Sequence, residues 1–219
     1  ATKHFYVTQS YRRNQMKALI TRKLGMTSTI ADDGTVTAVT LLSVGEHTVL
    51  QHKTDEKDGY TAVQVGAENA KKLSKPVAGH VKSAKVMPKL IREFRIKDIP
   101  EELTVGSKIS ADVFSVGDDV QVTGLTKGKG WAGVIRRHNF HRQRKSHGAK
   151  GNTRKPGSIG SMYPQRIFKG KRMAGQLGHD QITIKGLKVA LIDTEHNVIG
   201  VTGGVPGPRK GIILVKEAK

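Results

Sequence analysis

The sequence predicts a mainly β protein, a small antiparallel barrel or sandwich interrupted by one long basic excursion. Three observations carry that expectation. Short apolar or alternating runs recur at close spacing, separated by polar turns. Few stretches hold a helical period for long. One segment, Gln121 to His179, follows neither period and contains no acid anywhere along its length. Many short strands with few helices is the pattern of closed or two-layered antiparallel folds.

Each element has its own local reason. Leu19–Val44 (LITRKLGMTSTIADDGTVTAVTLLSV) reads as two strands, with Asp32-Asp33-Gly34 as the hairpin turn between them. His47–Gln51 and Tyr60–Val65 continue the pattern across the polar turn Lys53–Gly59. Ala67–Leu73 and Pro76–Lys85 are the expected short helices, the second opened by a proline whose fixed φ suits a first helical turn. Leu90–Ile96 alternates again, and Lys108–Phe114 and Asp119–Thr123 are two further expected strands. Beyond the basic segment lie Gln181–Ile184, Leu187–Asp193, Val198–Thr202 and Gly211–Lys216, with Glu195-His196-Asn197 as a turn.

Charge is distributed unevenly over this frame. The chain has 219 residues, 38 Lys and Arg against 18 Asp and Glu, and a formal net charge of +20. The segment from Gln121 to His179 holds 14 of the cations, where the chain average of 18 acids in 219 residues would place about five acids. The stretch before Met16 adds Lys3, Arg12 and Arg13, again without an acid. The rest of the chain holds 21 cations and 18 acids, a net of +3. An ordinary near-neutral body thus carries a basic arm (1–15) and a basic excursion, whose expected partner is a polyanion: nucleic acid first, an anionic membrane surface second.

Several chemistries are excluded. Without cysteine there is no disulfide framework, no thiolate-bound zinc or iron–sulfur centre and no cysteine nucleophile. No apolar run approaches the ~18 residues of a membrane span. The stretch 1–15 lacks the apolar core of a secretory signal and reads as a flexible arm. The expected setting is a reducing compartment that contains nucleic acid.

Nucleotide-binding motifs fail on inspection. Gly128-Lys-Gly130-Trp-Ala-Gly133 fits G-x-G-x-x-G, but no acid follows before Asp180 to meet a ribose and no βαβ alternation surrounds it. Gly124-Leu-Thr-Lys-Gly128 has three residues between glycines where a P-loop needs four, with Gly130 in place of the Ser or Thr that binds magnesium. His138, His141 and His147 lie among Arg136, Arg137, Arg142, Arg144 and Lys145 with no carboxylate nearby, so a divalent cation is electrostatically disfavoured. Those histidines are better suited to bases or phosphates. Ser146–His147 lacks an acid to orient a base.

The same residues suit RNA. Lys127, Lys129, Arg136, Arg137, Arg142, Arg144, Lys145, Lys150, Arg154, Lys155, Arg166, Lys169, Lys171 and Arg172 are the expected phosphate contacts. Trp131, Phe140 and Tyr163 are the expected stacking platforms, while Phe168 suits stacking and internal packing equally. Eleven glycines in the segment permit close backbone approach to phosphates. A chain of this composition cannot bury enough apolar surface to order itself, so ordering is expected to accompany binding. A long irregular segment favours RNA over duplex DNA, because unpaired bases and 2′-hydroxyls are then available.

A family resemblance sharpens this reading. Met16–Thr27 (MKALITRKLGMT) resembles the opening of the bacterial form of the family of large-subunit ribosomal protein three. Asp58–Val65 (DGYTAVQV), Lys75–His80 (KPVAGH), Glu93-Phe94-Arg95 and Val122–Gly130 (VTGLTKGKG) resemble its successive blocks in order, as do Pro156–Gly160, Phe168–Gly175 and Gly204–Pro208. The similarity runs over about residues 16–219. It implies a β-barrel of the translation-protein type over 16–123 and 179–219, a small α/β insertion at about 66–98, and a loop extension over 124–178 that enters ribosomal RNA. It further implies a structural, non-enzymatic protein that nucleates assembly near the 3′ end of the large-subunit rRNA and reaches towards the peptidyl-transferase centre. Large-subunit proteins of families fourteen and nineteen are the implied neighbours, and a cytoplasmic ribosome rather than an organellar one is the implied location. No cofactor, membrane or small-molecule substrate is expected. Residues 1–15 precede the usual start, and Ser161–Ile167 is about one residue shorter than the bacterial pattern, which leaves Gln165 close to, but not at, the family's methylated glutamine.

Overall fold

The computed structural model describes residues 16–100 and 103–218. The expected flexible arm, 1–15, lies outside the described residues. The chain forms, in order, β1 (Ala18–Ile30), β2 (Val36–Val44), β3 (His47–Lys53), α1 (Asp55–Asp58), β4 (Ala62–Asn69), α2 (Lys75–His80), β5 (Pro88–Arg95), β6 (Lys108–Ile109) and β7 (Asp119–Leu125). Then follow β8 (Trp131–Ala132), α3 (Val134–His138), β9 (Gly175–Gln176), β10 (Gln181–Asp193), β11 (Val198–Thr202) and β12 (Ile212–Glu217). The protein is mainly β, as its alternating runs predict.

The described residues divide into two compact units: one within 16–124 and 182–218, the other 125–181. In the first, six strands close into a barrel in the order β1-β12-β7-β10-β11-β2. The pairings β1–β12, β1–β2, β10–β11, β11–β2 and β12–β7 are antiparallel. Period-2 alternation makes this possible: in β7 the buried residues are Val120, Val122 and Gly124, with Gln121 and Thr123 half-buried between them. Leu19, Leu42, Ile199, Val201, Ile213 and Val215 fill the interior with essentially no exposure. Each such side chain stabilises the fold by about 1.5–3 kcal/mol.

A second sheet, β5-β4-β3-β6, packs through the same apolar core, which joins Leu19 and Val122 of the ring to Val49, Val63, Val65, Phe94 and Ile109 of the sheet. Two polar ties reinforce the junction. The Arg22 guanidinium on β1 pairs with the Glu68 carboxylate on β4 and holds that carboxyl below its ordinary range. His47, at the start of β3 and wholly buried, places Nε2 2.9 Å from the N–H and 2.8 Å from the carbonyl of Ile20.

The departures from expectation have local causes. Ala67–Leu73 is not helical: β4 extends to Asn69 because β5 pairs with it to Asn69↔Pro88 while β3 pairs along its other edge. Its unbroken buried run, Ala62 to Ala67, hides the alternation that marks a strand. Of Lys108–Phe114, only Lys108 and Ile109 pair with β3. Ala111–Val113 then turns as a 3-10 helix, with the Ser110 hydroxyl donating to Asp112 and with Ala111 and Phe114 buried. Gln181–Ile184 and Leu187–Asp193 are one continuous strand, bent at Gly186, whose φ of +75° glycine adopts without strain. The helical turns α2 and Lys82–Ala84 fall inside 66–98, but the sheet beside them reaches beyond that segment on both sides.

Candidate nucleic-acid interface

The second unit, 125–181, begins as a backbone ladder. The Thr126 N–H donates to the Asp180 carbonyl (2.9 Å), and the Asp180 N–H donates back to Thr126 Oγ1 (3.1 Å). The Lys129 N–H donates to the Leu177 carbonyl (2.8 Å) and the Leu177 N–H to the Gly130 carbonyl (3.0 Å). β8 and β9 complete the ladder with Trp131↔Gln176 and Ala132↔Gly175. This short two-stranded piece, with α3 behind it, is regular structure that the scattered charge of the segment did not suggest. Its signal is the small apolar pair Ala132 and Val134, both buried.

Gly178 is the tightest point of the ladder. Its φ is +74°, and a Cβ there would lie 2.2 Å from the Lys127 carbonyl oxygen. Gly178→Ala therefore meets both backbone strain and a backbone clash, and is expected to destabilise the ladder by about 2–4 kcal/mol. Hydrogen exchange at the Lys129 and Leu177 amides reads the effect; unchanged protection there would contradict it.

The expected contact residues fall into two groups. Lys127, Lys129, Trp131, Arg136, His141, Arg142, Arg144, Lys145, His147, Lys150, Arg154, Lys155, Tyr163, Arg166, Lys169, Lys171 and Arg172 are all exposed. Trp131 and Tyr163 are 79% and 78% exposed, so both rings are open to a stacking partner. Among the described residues, no ion pair involves a cation of this unit. The cause is visible in sequence: no carboxylate lies within 121–179.

Arg137, His138 and Phe140, all half-buried, form the second group. Arg137 Nη1 donates to the Met173 carbonyl at 2.8 Å, and His138 Nε2 lies 3.1 Å from the same oxygen. The His138 and Phe140 rings are tilted at 46° with centroids 6.2 Å apart. A Cβ at Gly175 would lie 2.7 Å from Arg137 Nη1, so the glycine makes room for the guanidinium. Arg137 and His138 hold α3 against the returning chain, which leaves Arg137 fewer free donors than its neighbours. Sequence reasoning also missed Met162, 87% exposed, and Ile159 and Ile167, 40% and 47% exposed. Isolated apolar residues among glycines and cations carry no period that could single them out.

Comparison with known proteins accounts for the ordered sequence blocks. The family model described as "Ribosomal protein L3" matches residues 3–198 and so begins within the basic arm, ahead of Met16. The chain is similar to the large ribosomal subunit protein uL3 of Thermosipho melanesiensis, 48% identical over 206 residues that cover 93% of this chain and 99% of the relative. It is 44% identical to the uL3 of Pelotomaculum thermopropionicum over 205 residues, covering 92% and 97% of the two chains. The uL3 of Bacillus thuringiensis is likewise 44% identical over 205 residues, with the same coverage. With a family model spanning most of its length and relatives near half identity, this chain belongs to the ribosomal protein L3 family.

Proposed function

We propose that the chain is a non-catalytic structural constituent of a bacterial-type large ribosomal subunit, acting in the cytoplasm, and that residues 124–178 bind large-subunit rRNA. The carrying observation is the acid-free segment from Gln121 to His179 with 14 cations, most of them exposed and, among the described residues, none in an ion pair. Such a surface repels itself and gains free energy when phosphates replace its counterions. The near-neutral body, of the translation-protein barrel type, serves as the platform, and the loop extension carries its charge into RNA towards the peptidyl-transferase centre. Docking near the 3′ end of the rRNA nucleates assembly, beside proteins of families fourteen and nineteen. No helix among the described residues is long and apolar enough to cross a membrane.

Hydrogen exchange tests the coupling of order to binding. In the free protein, amides of the ring strands are expected to be protected and those of 139–172 nearly unprotected, because that stretch buries little apolar surface. Adding large-subunit rRNA is expected to protect 139–172. Strong protection there without RNA would mean an independently folded domain and would overturn the coupled-ordering reading.

A further inference from the structure

The β1–β2 hairpin continues past the barrel, and its far half has an open edge. β12 pairs with β1 only as far as Arg22↔Ile212, whereas β2 accompanies β1 to Ile30↔Val36. Lys23 makes the last backbone bonds on the β12 side, donating to Gly211 (3.0 Å) and accepting from Lys210 (2.7 Å). The register shifts between Lys23 and Gly25, a bulge at which the strand leaves its partner.

Which backbone groups face outward follows from the turn. The Ala31 N–H donates to the Thr35 carbonyl at 3.0 Å, so Ala31 faces β2. Alternation along an antiparallel ladder then turns the N–H and C=O groups of Met26, Ser28 and Ile30 away from β2. The opposite edge agrees: Ala38, directly across from Ser28, presents its carbonyl outward and is covered by the Gly203 N–H at 2.8 Å. Among the described residues, no such partner meets Met26, Ser28 or Ile30.

The composition of this edge is the reverse of the loop's. Leu24 to His52 is the longest stretch of the chain without Lys or Arg, where the average of 38 in 219 would place about five. Its tip carries Asp32 and Asp33, both exposed. The Thr35 N–H donates to Asp33 at 2.9 Å and holds that carboxyl below its ordinary range, so the tip is anionic at neutral pH. Met26, Ile30 and Val36 are 53%, 73% and 64% exposed. Edge strands are normally protected by lysine, proline or a covering element, and this one has none of the three among the described residues. An apolar edge with an anionic tip, whose nearby cations Lys23 and Arg209 lie at the barrel end, repels a polyanion at the tip and suits an apolar strand that brings cations there.

We propose that Leu24–Ile30 is a docking edge for an extended segment of a neighbouring Lys/Arg-bearing protein, which adds to β1 as a further strand with its cations beside Asp32 and Asp33. Main-chain hydrogen bonds to Met26, Ser28 and Ile30 supply the register, and the exposed apolar face supplies contact area. The partner's basic side chains supply charge complementarity and discriminate against RNA. This surface is separate from the loop that binds rRNA and adds a protein contact to it.

The test uses intact large subunits that carry the chain with a benzophenone amino acid at Met26, irradiated and digested. The expected product is a dominant crosslink to a Lys/Arg-bearing segment of another protein. Ser28→Pro, which removes the central outward N–H but no bond to β2, is expected to lower its yield roughly tenfold. The exposed tip variant Asp32→Lys with Asp33→Lys, outside the strand ladder, is expected to lower it as well and serves if the proline variant fails to fold. A crosslink released by ribonuclease, one to residues 1–15 of the same chain, none at all, or a yield unchanged in the tip variant overturns the proposal. A second probe at Trp131 reports the RNA contact independently, so loss of the hairpin crosslink alone leaves the RNA reading standing.

Discussion

Raising salt from 50 to 200 mM is expected to weaken binding of the protein to large-subunit rRNA by roughly a thousandfold. The segment between Gln121 and His179 carries 14 cations. If half of them meet phosphates, about seven counterions are released and the slope of log K against log salt lies near −5 to −6. A fourfold rise in salt then costs about three decades. The structure also ranks the residues. Arg142, Arg144 and Lys145 are exposed, and replacing all three with Gln is expected to take about 2–3 units off the slope. Arg137 donates to the Met173 carbonyl, so Arg137→Gln is expected to disturb α3 more than the salt dependence. Filter binding or fluorescence titration across a salt series checks both. A slope near −1 would place the cations off the RNA.

Replacing His47 with Ala is expected to cost about 2–4 kcal/mol, by leaving a cavity and stripping Ile20 of its side-chain partner. For a chain of this length, each kcal/mol lowers Tm by about 2–4 °C. His47 is fully buried between β1 and the second sheet. Burial pushes its pKa below the ordinary 6.5, opposed in part by the Ile20 carbonyl beside Nε2. The unfolded chain therefore binds a proton at this site more readily than the folded one, so the site's contribution rises with pH. It is fully present above about pH 6.5 and is lost as pH falls from there towards the folded-state value, at up to about 1.4 kcal/mol per pH unit. Thermal melts of wild type and His47→Ala between pH 5 and 7.5 isolate the effect. The difference between them should shrink as pH falls; a difference independent of pH would mean that the imidazole binds protons equally in the folded and unfolded chains, and one that grows would mean that the fold favours the charged form.

Local pattern was legible where one face of a strand is wet. β2 and β7 alternate in this way, and β11, buried through 199–201, was legible from its β-branched run between turn residues. β4 did not alternate because β3 and β5 flank it and both its faces are covered, so the end of its apolar run resembles a helix start. β6 was overestimated because strand length depends on how much partner is present, and β3 offers it two residues. In the candidate interface, the exposed cations were legible from composition. The engagement of Arg137 and His138 with Met173 was not, since it spans about 35 residues of irregular chain without any period.

By itself the sequence determined the mainly β class, the family and the segregation of charge, because propensity, ordered motifs and net charge are sums over neighbouring residues. Tertiary structure alone decided which strands close the ring, which arginine is tied to its own backbone and which edge of β1 stays open. Those depend on register between segments as distant as Arg22 and Ile212, and a one-residue shift in register exchanges every inward and outward side chain of a strand.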